Sequence, residues 1–129
     1  MAIYHLSIKI ITRGAGKSAV AAAAYRAGET IKNEYDGFIH DYTRKGGIVH
    51  TEILLPENAP VEYSDRAVLW NAVEKSERYC NAQLSREIEI ALPIELDKEQ
   101  NISLVPPVCK RAICHRRNVC RCLHTRYQR

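Results

Sequence analysis

A break at Pro106 sets the size of the fold this chain can build. The segment 106–129, PPVCKRAICHRRNVCRCLHTRYQR, opens on two prolines and carries seven Lys/Arg with no Asp or Glu. It also holds four of the five cysteines: Cys109, Cys114, Cys120 and Cys122. Residues 1–105 carry twelve Lys/Arg against fifteen Asp/Glu. The formal charge of +4 therefore comes from the end of the chain alone. Basicity and cysteine content say nothing about the partner of the first 105 residues. With 129 residues there is room for one core. The expectation is one folded unit over 1–105, followed by an aberrant, disordered basic tail over 106–129.

The hydrophobic fraction of 46% suits a folded soluble chain. The longest apolar run, Ala19–Ala24, is far short of the ~20 residues that span a bilayer. The first residues, MAIYHLSIKII, show neither a basic leader nor a cleavage site. Residues 1–105 hold one cysteine, Cys80, which points to a reducing compartment. These observations predict a cytoplasmic protein with no membrane span.

Alternation over Ile3–Ile11 predicts a first strand with Tyr4, Leu6, Ile8 and Ile10 on its buried side. Ser18 is a natural N-cap for the Ala-rich helix Ala19–Ala27, which Gly28 stops. Residues 35–47 are polar, with Asp36-Gly37 and Gly46-Gly47 as turn signals. A strand follows over Ile48–Leu55. Ser64 or Asp65 caps a helix from Arg66 to about Asn81, on which Val68, Leu69, Ala72 and Val73 recur at helical spacing. Leu84–Leu92 alternates again. Asp97 caps a last helix, Lys98–Val105, which Pro106-Pro107 should end. The order predicts an α+β domain, a largely antiparallel sheet flanked by helices, missing its last strands. Its strand faces would then be left partly uncovered.

Gly16-Lys17-Ser18 invites comparison with a phosphate-binding loop, but that pattern needs glycine at position 11, where Ile11 stands. A basic turn with a helix cap is the better reading. Tyr25 stands out from an alanine-rich helix face. Its ordinary role is packing. Its chemical role would be a nucleophile, which a phenol fills only with a metal or cations beside it.

The sequence resembles the MobA/MobL family of plasmid mobilisation relaxases. The likeness runs in order through His5-Leu6-Ser7, the stretch from Gly16-Lys17-Ser18 to Tyr25-Arg26-Ala27-Gly28-Glu29, and Asp41-Tyr42-Thr43-Arg44-Lys45. It continues through Glu52-Ile-Leu-Leu-Pro56, Trp70-Asn71-Ala-Val-Glu74 and Arg86-Glu87-Ile-Glu89-Ile-Ala-Leu-Pro93. The resemblance implies an HUH-type endonuclease domain that nicks one strand at an origin of transfer, holds it as a phosphotyrosine, and rejoins it. It implies Tyr25 as nucleophile and a divalent cation, Mg²⁺ or Mn²⁺, as cofactor. Single-stranded or origin DNA would be the partner, with accessory mobilisation proteins beside it. Arg13, Lys17, Arg26, Lys32, Arg44 and Lys45 are the candidates to meet DNA, since phosphate contacts need positive groups. Glu87 and Glu89 share a strand side and could assist proton transfer.

The family holds its metal with one histidine in an Ile-His-Asp-like strand and two in a His-x-His strand. His5, His40 and His50 precede the region where these are expected and lie on separate segments. The expectation is that this chain binds no metal there and does not nick efficiently. A +1 frameshift near Pro106 would account for the prolines, the cysteine burst and the missing acids together. Two other readings stand beside this one. The first is a non-catalytic single-stranded DNA-binding module. The second is a small regulatory protein with a metal knuckle drawn from Cys114, His115, Cys120, Cys122 and His124.

Overall fold

Alternation and β-branching over 6–12 and 83–90 produce a long antiparallel ladder, around which the other elements are arranged. The computed structural model describes residues 6–55, 59–93, 95–112 and 123–126. Strand β1 is Leu6–Thr12 and pairs with β5, Gln83–Ile90, with Leu6 opposite Ile90 and Ile8 opposite Ile88. Between them in sequence lie α1 (Ala19–Ala27), β2 (Thr30–Lys32), β3 (Ile39–Asp41), β4 (Ile48–Glu52) and α2 (Arg66–Ser76). Helix α3 (Lys98–Ala112) and β6 (Leu123–Arg126) follow. Among the described residues β2 pairs with β3 and β4 with β6, both antiparallel. The class is α+β, as the order of elements predicts.

The helix ends follow local chemistry. Ser18 Oγ accepts from Ala21 N at 3.2 Å, and Gly28 closes α1 in the left-handed region, at φ 67°, donating to Ala24 O at 2.8 Å. Only glycine adopts that conformation without strain. Asp65, rather than Ser64, caps α2, accepting from Ala67 N at 2.9 Å. Asp97 and Gln100 form a reciprocal box at the start of α3, with bonds of 2.8 and 3.1 Å.

The core is small and built on α1. Ala19 packs with Val73, Ala82 and Leu84. Val20 and Ala24 pack with Ile31, and Trp70 lies against both groups. Alanines on the buried side let α1 approach its neighbours closely.

Several expectations need correction. Leu6, Ile8 and Ile10 do not form a buried side: they are 65%, 62% and 44% exposed, while Ile11, on the other side of β1, is 6% exposed. Arg26 of α1 meets Glu87 on the Ile11 side of the ladder, so the helix covers that side and leaves the Leu6–Ile8–Ile10 side open. Ile88 and Ile90 extend the open side across to β5. This matches the expectation of uncovered strand faces. The turn signal Asp36-Gly37 lies in the tip of a β2–β3 hairpin whose first strand precedes the polar 35–47 stretch, with Gly37 at φ 79°. Helix α2 ends at Ser76, short of Asn81, and Val68 is exposed while Arg66, Asn71 and Glu74 are buried.

Helix α3 does not stop at Val105. It carries Pro106 and Pro107 inside it and ends at Ala112. Each proline removes one N–H donor from the helix. The 106–129 segment is thus helical to Ala112 and extended over Leu123–Arg126. Of the Cys/His knuckle considered above, Cys114, His115, Cys120 and Cys122 lie outside the described residues, and His124 falls in β6.

Candidate nucleophile site

Tyr25 sits in the last turn of α1. The cap at Ser18 and the stop at Gly28 fix the register of this helix, which buries Ala19, Val20, Ala23, Ala24 and Ala27. Tyr25 points away from that stripe and is 41% exposed. Three groups surround its ring. Lys45 Nζ lies 3.3 Å from the ring centroid. Arg26 Cζ lies 5.6 Å from it. Tyr42 meets it edge-on, with centroids 5.3 Å apart and an interplanar angle of 89°. Lys45 Nζ also donates to Tyr25 O at 2.9 Å.

The turn after β3 brings Tyr42 and Lys45 to this place. Tyr42 N donates to Glu29 O at 3.2 Å, and Lys45 N donates to Tyr42 O at 3.0 Å. Asp41 braces the turn, accepting from Thr30 Oγ1 at 2.9 Å, Thr43 N at 3.0 Å and Thr43 Oγ1 at 2.7 Å. The Thr43 N–H, then the Thr43 and Thr30 hydroxyls, hold the Asp41 carboxyl below its usual range.

The residues read as DNA contacts divide. Arg26 and Lys45 flank Tyr25, and Arg26 is held by an ion pair with Glu87. Lys17, Lys32 and Arg44 are exposed. Arg13 is different: its guanidinium is taken up inside the fold. Nη2 donates to Glu74 Oε2 at 3.0 Å and Glu74 O at 2.8 Å. Nη1 donates to Glu77 O at 2.7 Å and Tyr79 O at 3.1 Å. Arg13 fastens the turn after β1 to the end of α2. Glu87 is half-buried against Arg26, one residue from Tyr25, while Glu89 is exposed opposite Ser7.

Glu74 is the residue that sequence reasoning missed. It is 2% exposed. Besides binding Arg13, its Oε1 accepts from Ser18 Oγ at 2.7 Å and from Ala19 N at 2.8 Å. A carboxylate therefore fills the place at the start of α1 that a bound phosphate would take. This accounts for Gly16-Lys17-Ser18 without a nucleotide. The available signal was a charged residue next to Val73 in a helical stretch where six of eleven positions are apolar.

Among the described residues, His40 and His50 lie on separate strands. Among the described residues no three His, Cys, Asp or Glu side chains are grouped to hold a metal ion. His40 lies in β3 with Nε2 buried and without a hydrogen-bond partner. His50 in β4 lies 3.5 Å from Glu52. His5 is outside the described residues. No helix among the described residues is long and apolar enough to cross a membrane.

The chain is 55% identical over 104 residues to mobilization protein MobL of Acidithiobacillus ferridurans, covering 81% of this chain and 27% of that protein. It is 45% identical over 115 residues to conjugal transfer protein TraA of Rhizobium radiobacter, covering 81% of this chain and 10% of that one. A solved structure described as the molecular basis of vancomycin resistance transfer in Staphylococcus aureus superimposes with a TM-score of 0.80. Its sequence is 38% identical, and the match covers 84% of this chain and 56% of that one. The chain thus spans about a tenth to a quarter of the length of the curated relatives it matches. The family model for MobA/MobL matches residues 17–128, which takes in Tyr25, its cationic neighbours and the stretch beyond Pro106. With a match over most of its length, the chain belongs to the MobA/MobL family.

Proposed function

We propose that this chain is the nucleophile-bearing portion of a DNA strand transferase that nicks and rejoins an origin of transfer during plasmid mobilisation. The carrying observation is the position of Tyr25: exposed, at a helix end, with Lys45 over its ring and Arg26 beside it. Cations there attract the phosphodiester toward the tyrosine. In the proposed step Tyr25 Oη attacks phosphorus and forms the phosphotyrosyl bond to the 5′ side. The bond from phosphorus to the 3′ oxygen breaks, and that oxygen leaves as a hydroxyl, taking up the proton the phenol gives up. The reverse attack reseals the strand without ATP, because the phosphodiester is exchanged rather than hydrolysed.

Relaxases of this family work with a divalent metal. The described residues do not assemble ligands for it, so no step is assigned to one. On this reading the chain alone binds a strand but nicks an ordinary phosphodiester poorly. Lys17, Lys32, Arg44, Arg26 and Lys45 are the proposed strand contacts. A change of reading frame near Pro106 remains part of the proposal, and the gene's nucleotide sequence at that codon tests it.

The functional test uses a labelled origin strand carrying a 3′-bridging phosphorothiolate at the nick, whose thiolate leaves more readily than an alkoxide. The expected result is a covalent adduct with the wild-type chain and none with Tyr25→Phe, and little adduct from the ordinary strand. An adduct that persists in Tyr25→Phe overturns the assignment of the nucleophile. An efficient Tyr25-dependent adduct on the ordinary strand with Mg²⁺ or Mn²⁺ overturns the reading of the chain as inactive alone.

A further inference from the structure

The β2–β3 hairpin ends in a tip, residues 33–38, that is closed by hydrogen bonds yet displays large aromatic surface. Tyr35 is 59% exposed and Phe38 68% exposed. Exposed aromatics on a loop normally signal mobility, but this loop is tied throughout. Asn33 is 1% exposed and anchors it. Its Oδ1 accepts from Tyr35 N at 3.0 Å, its carbonyl from Gly37 N at 2.8 Å, and its N–H donates to Phe38 O at 2.8 Å. Asp36 Oδ1 accepts from Phe38 N at 2.9 Å, and Asn71 Oδ1 accepts from Glu34 N at 2.9 Å. Tyr35 is backed on one face by the Arg13 guanidinium, 4.2 Å from its centroid. Arg13 is itself fixed by four hydrogen bonds.

A flat ring clamped on one face and open elsewhere binds another flat ring at little entropic cost. Two lysines stand near enough to meet a phosphate of the strand. Lys17 lines the same open cavity of about 150 Å³ as Tyr35, and Lys32 is exposed at the base of the hairpin. The two acids of the tip are engaged, Glu34 with Lys75 and Asp36 with Asn33 and Phe38. The tip adjoins the start of α1, while Tyr25 lies near the end of the same helix, seven residues on from Ser18. At about 1.5 Å per residue that separation is roughly 10 Å, on the order of one to two nucleotides of extended strand.

We propose that the hairpin tip is a stacking platform for unpaired bases of a DNA strand, with Tyr35 and Phe38 as the stacking residues and Lys17 as a phosphate contact. It rests on the reading of the chain as a DNA-binding protein and adds to it where the bases adjoining the reacting phosphate are held.

The test measures binding of a fluorescent single-stranded oligonucleotide to the full chain across a salt series. The variants are Phe38→Leu and Tyr35→Leu, with melting temperature as a control on folding. Phe38→Leu decides the outcome if loss of the Tyr35–Arg13 contact lowers stability. Each variant is expected to weaken binding roughly tenfold with an unchanged salt slope, because stacking releases no counterions. A strand with abasic sites at the contacted positions should bind wild type and variants alike. Wild-type binding that neither variant weakens overturns the platform and leaves the DNA reading standing. No binding by the wild type overturns both. Self-association that Phe38→Leu abolishes, with DNA affinity unchanged, overturns the platform in favour of a contact between copies of the chain.

Discussion

The Lys45 ammonium lies 3.3 Å from the centroid of the Tyr25 ring and donates to the carbonyl of that same residue at 2.9 Å. One cation therefore fixes both the end of α1 and the ring it carries. An ammonium over a ring face is worth about 0.5–2 kcal/mol, more as water is excluded. Lys45→Met keeps the aliphatic stem and removes the charge. It should lower the yield of Tyr25 adduct on the phosphorothiolate strand about fivefold to tenfold, and lower the melting temperature by several degrees as the contacts to Tyr25 are lost. Lys45→Arg should recover most of the yield. Equal adduct rates in all three proteins would remove Lys45 from the site.

Glu74 should matter more to folding than any residue in the apolar core. It is 2% exposed and joins Arg13, Ser18 Oγ and the first N–H of α1. Taking away one partner of a buried ion pair leaves the other charge uncompensated, at about 3–5 kcal/mol. Glu74→Ala is expected to lose an amount of that order in chemical denaturation, and Glu74→Gln distinctly less, since the amide oxygen can still accept from Ser18 or Ala19. A loss below about 1 kcal/mol in Glu74→Ala would show that the network contributes little.

Asp41 gives the fold an acid-sensitive brace. Hydrogen bonds from Thr43 and Thr30 favour its charged form and hold its pKa below the ordinary 3.8. A carboxyl with a depressed folded-state pKa stabilises the fold above its unfolded value and loses that contribution as pH falls through the folded value. The melting-temperature gap between wild type and Asp41→Asn should therefore be widest near neutrality and close below about pH 3.8. A gap that is constant from pH 7 to pH 3 would mean that the brace does not depend on charge.

The local features of the fold were legible because they depend on near neighbours in sequence. The Ser18 cap, the Gly28 stop and the β1 and β5 strands all follow from period and cap chemistry. What depended on distant segments was not legible. Alternation in β1 correctly separates two sides, but only the packing of α1 decides which side is covered, and that side is the one with Ile11. Arg13 looked like a surface cation because nothing local reveals Glu74, 61 residues on. The end of α3 is not legible locally, because two prolines oppose helix without forbidding it. At the site, the sequence pointed to Tyr25, Arg26 and Lys45, which the fold brings together, but gave no sign that Tyr42 joins them edge-on.

The open side of the β1–β5 ladder should govern how the chain behaves in solution. Leu6, Ile8, Ile10, Ile88 and Ile90 are 65%, 62%, 44%, 36% and 52% exposed, and the register places Ile8 opposite Ile88 and Leu6 opposite Ile90. They form one contiguous apolar strip, and such strips drive association when nothing covers them. Because these side chains already meet solvent, replacing them removes little buried area. The double variant Ile8→Lys, Ile90→Thr should therefore melt within a few degrees of wild type. It should also stay monomeric at concentrations where the wild type forms larger species in light scattering. A large drop in melting temperature would mean that the strip is covered in solution, and unchanged association would place the sticky surface elsewhere.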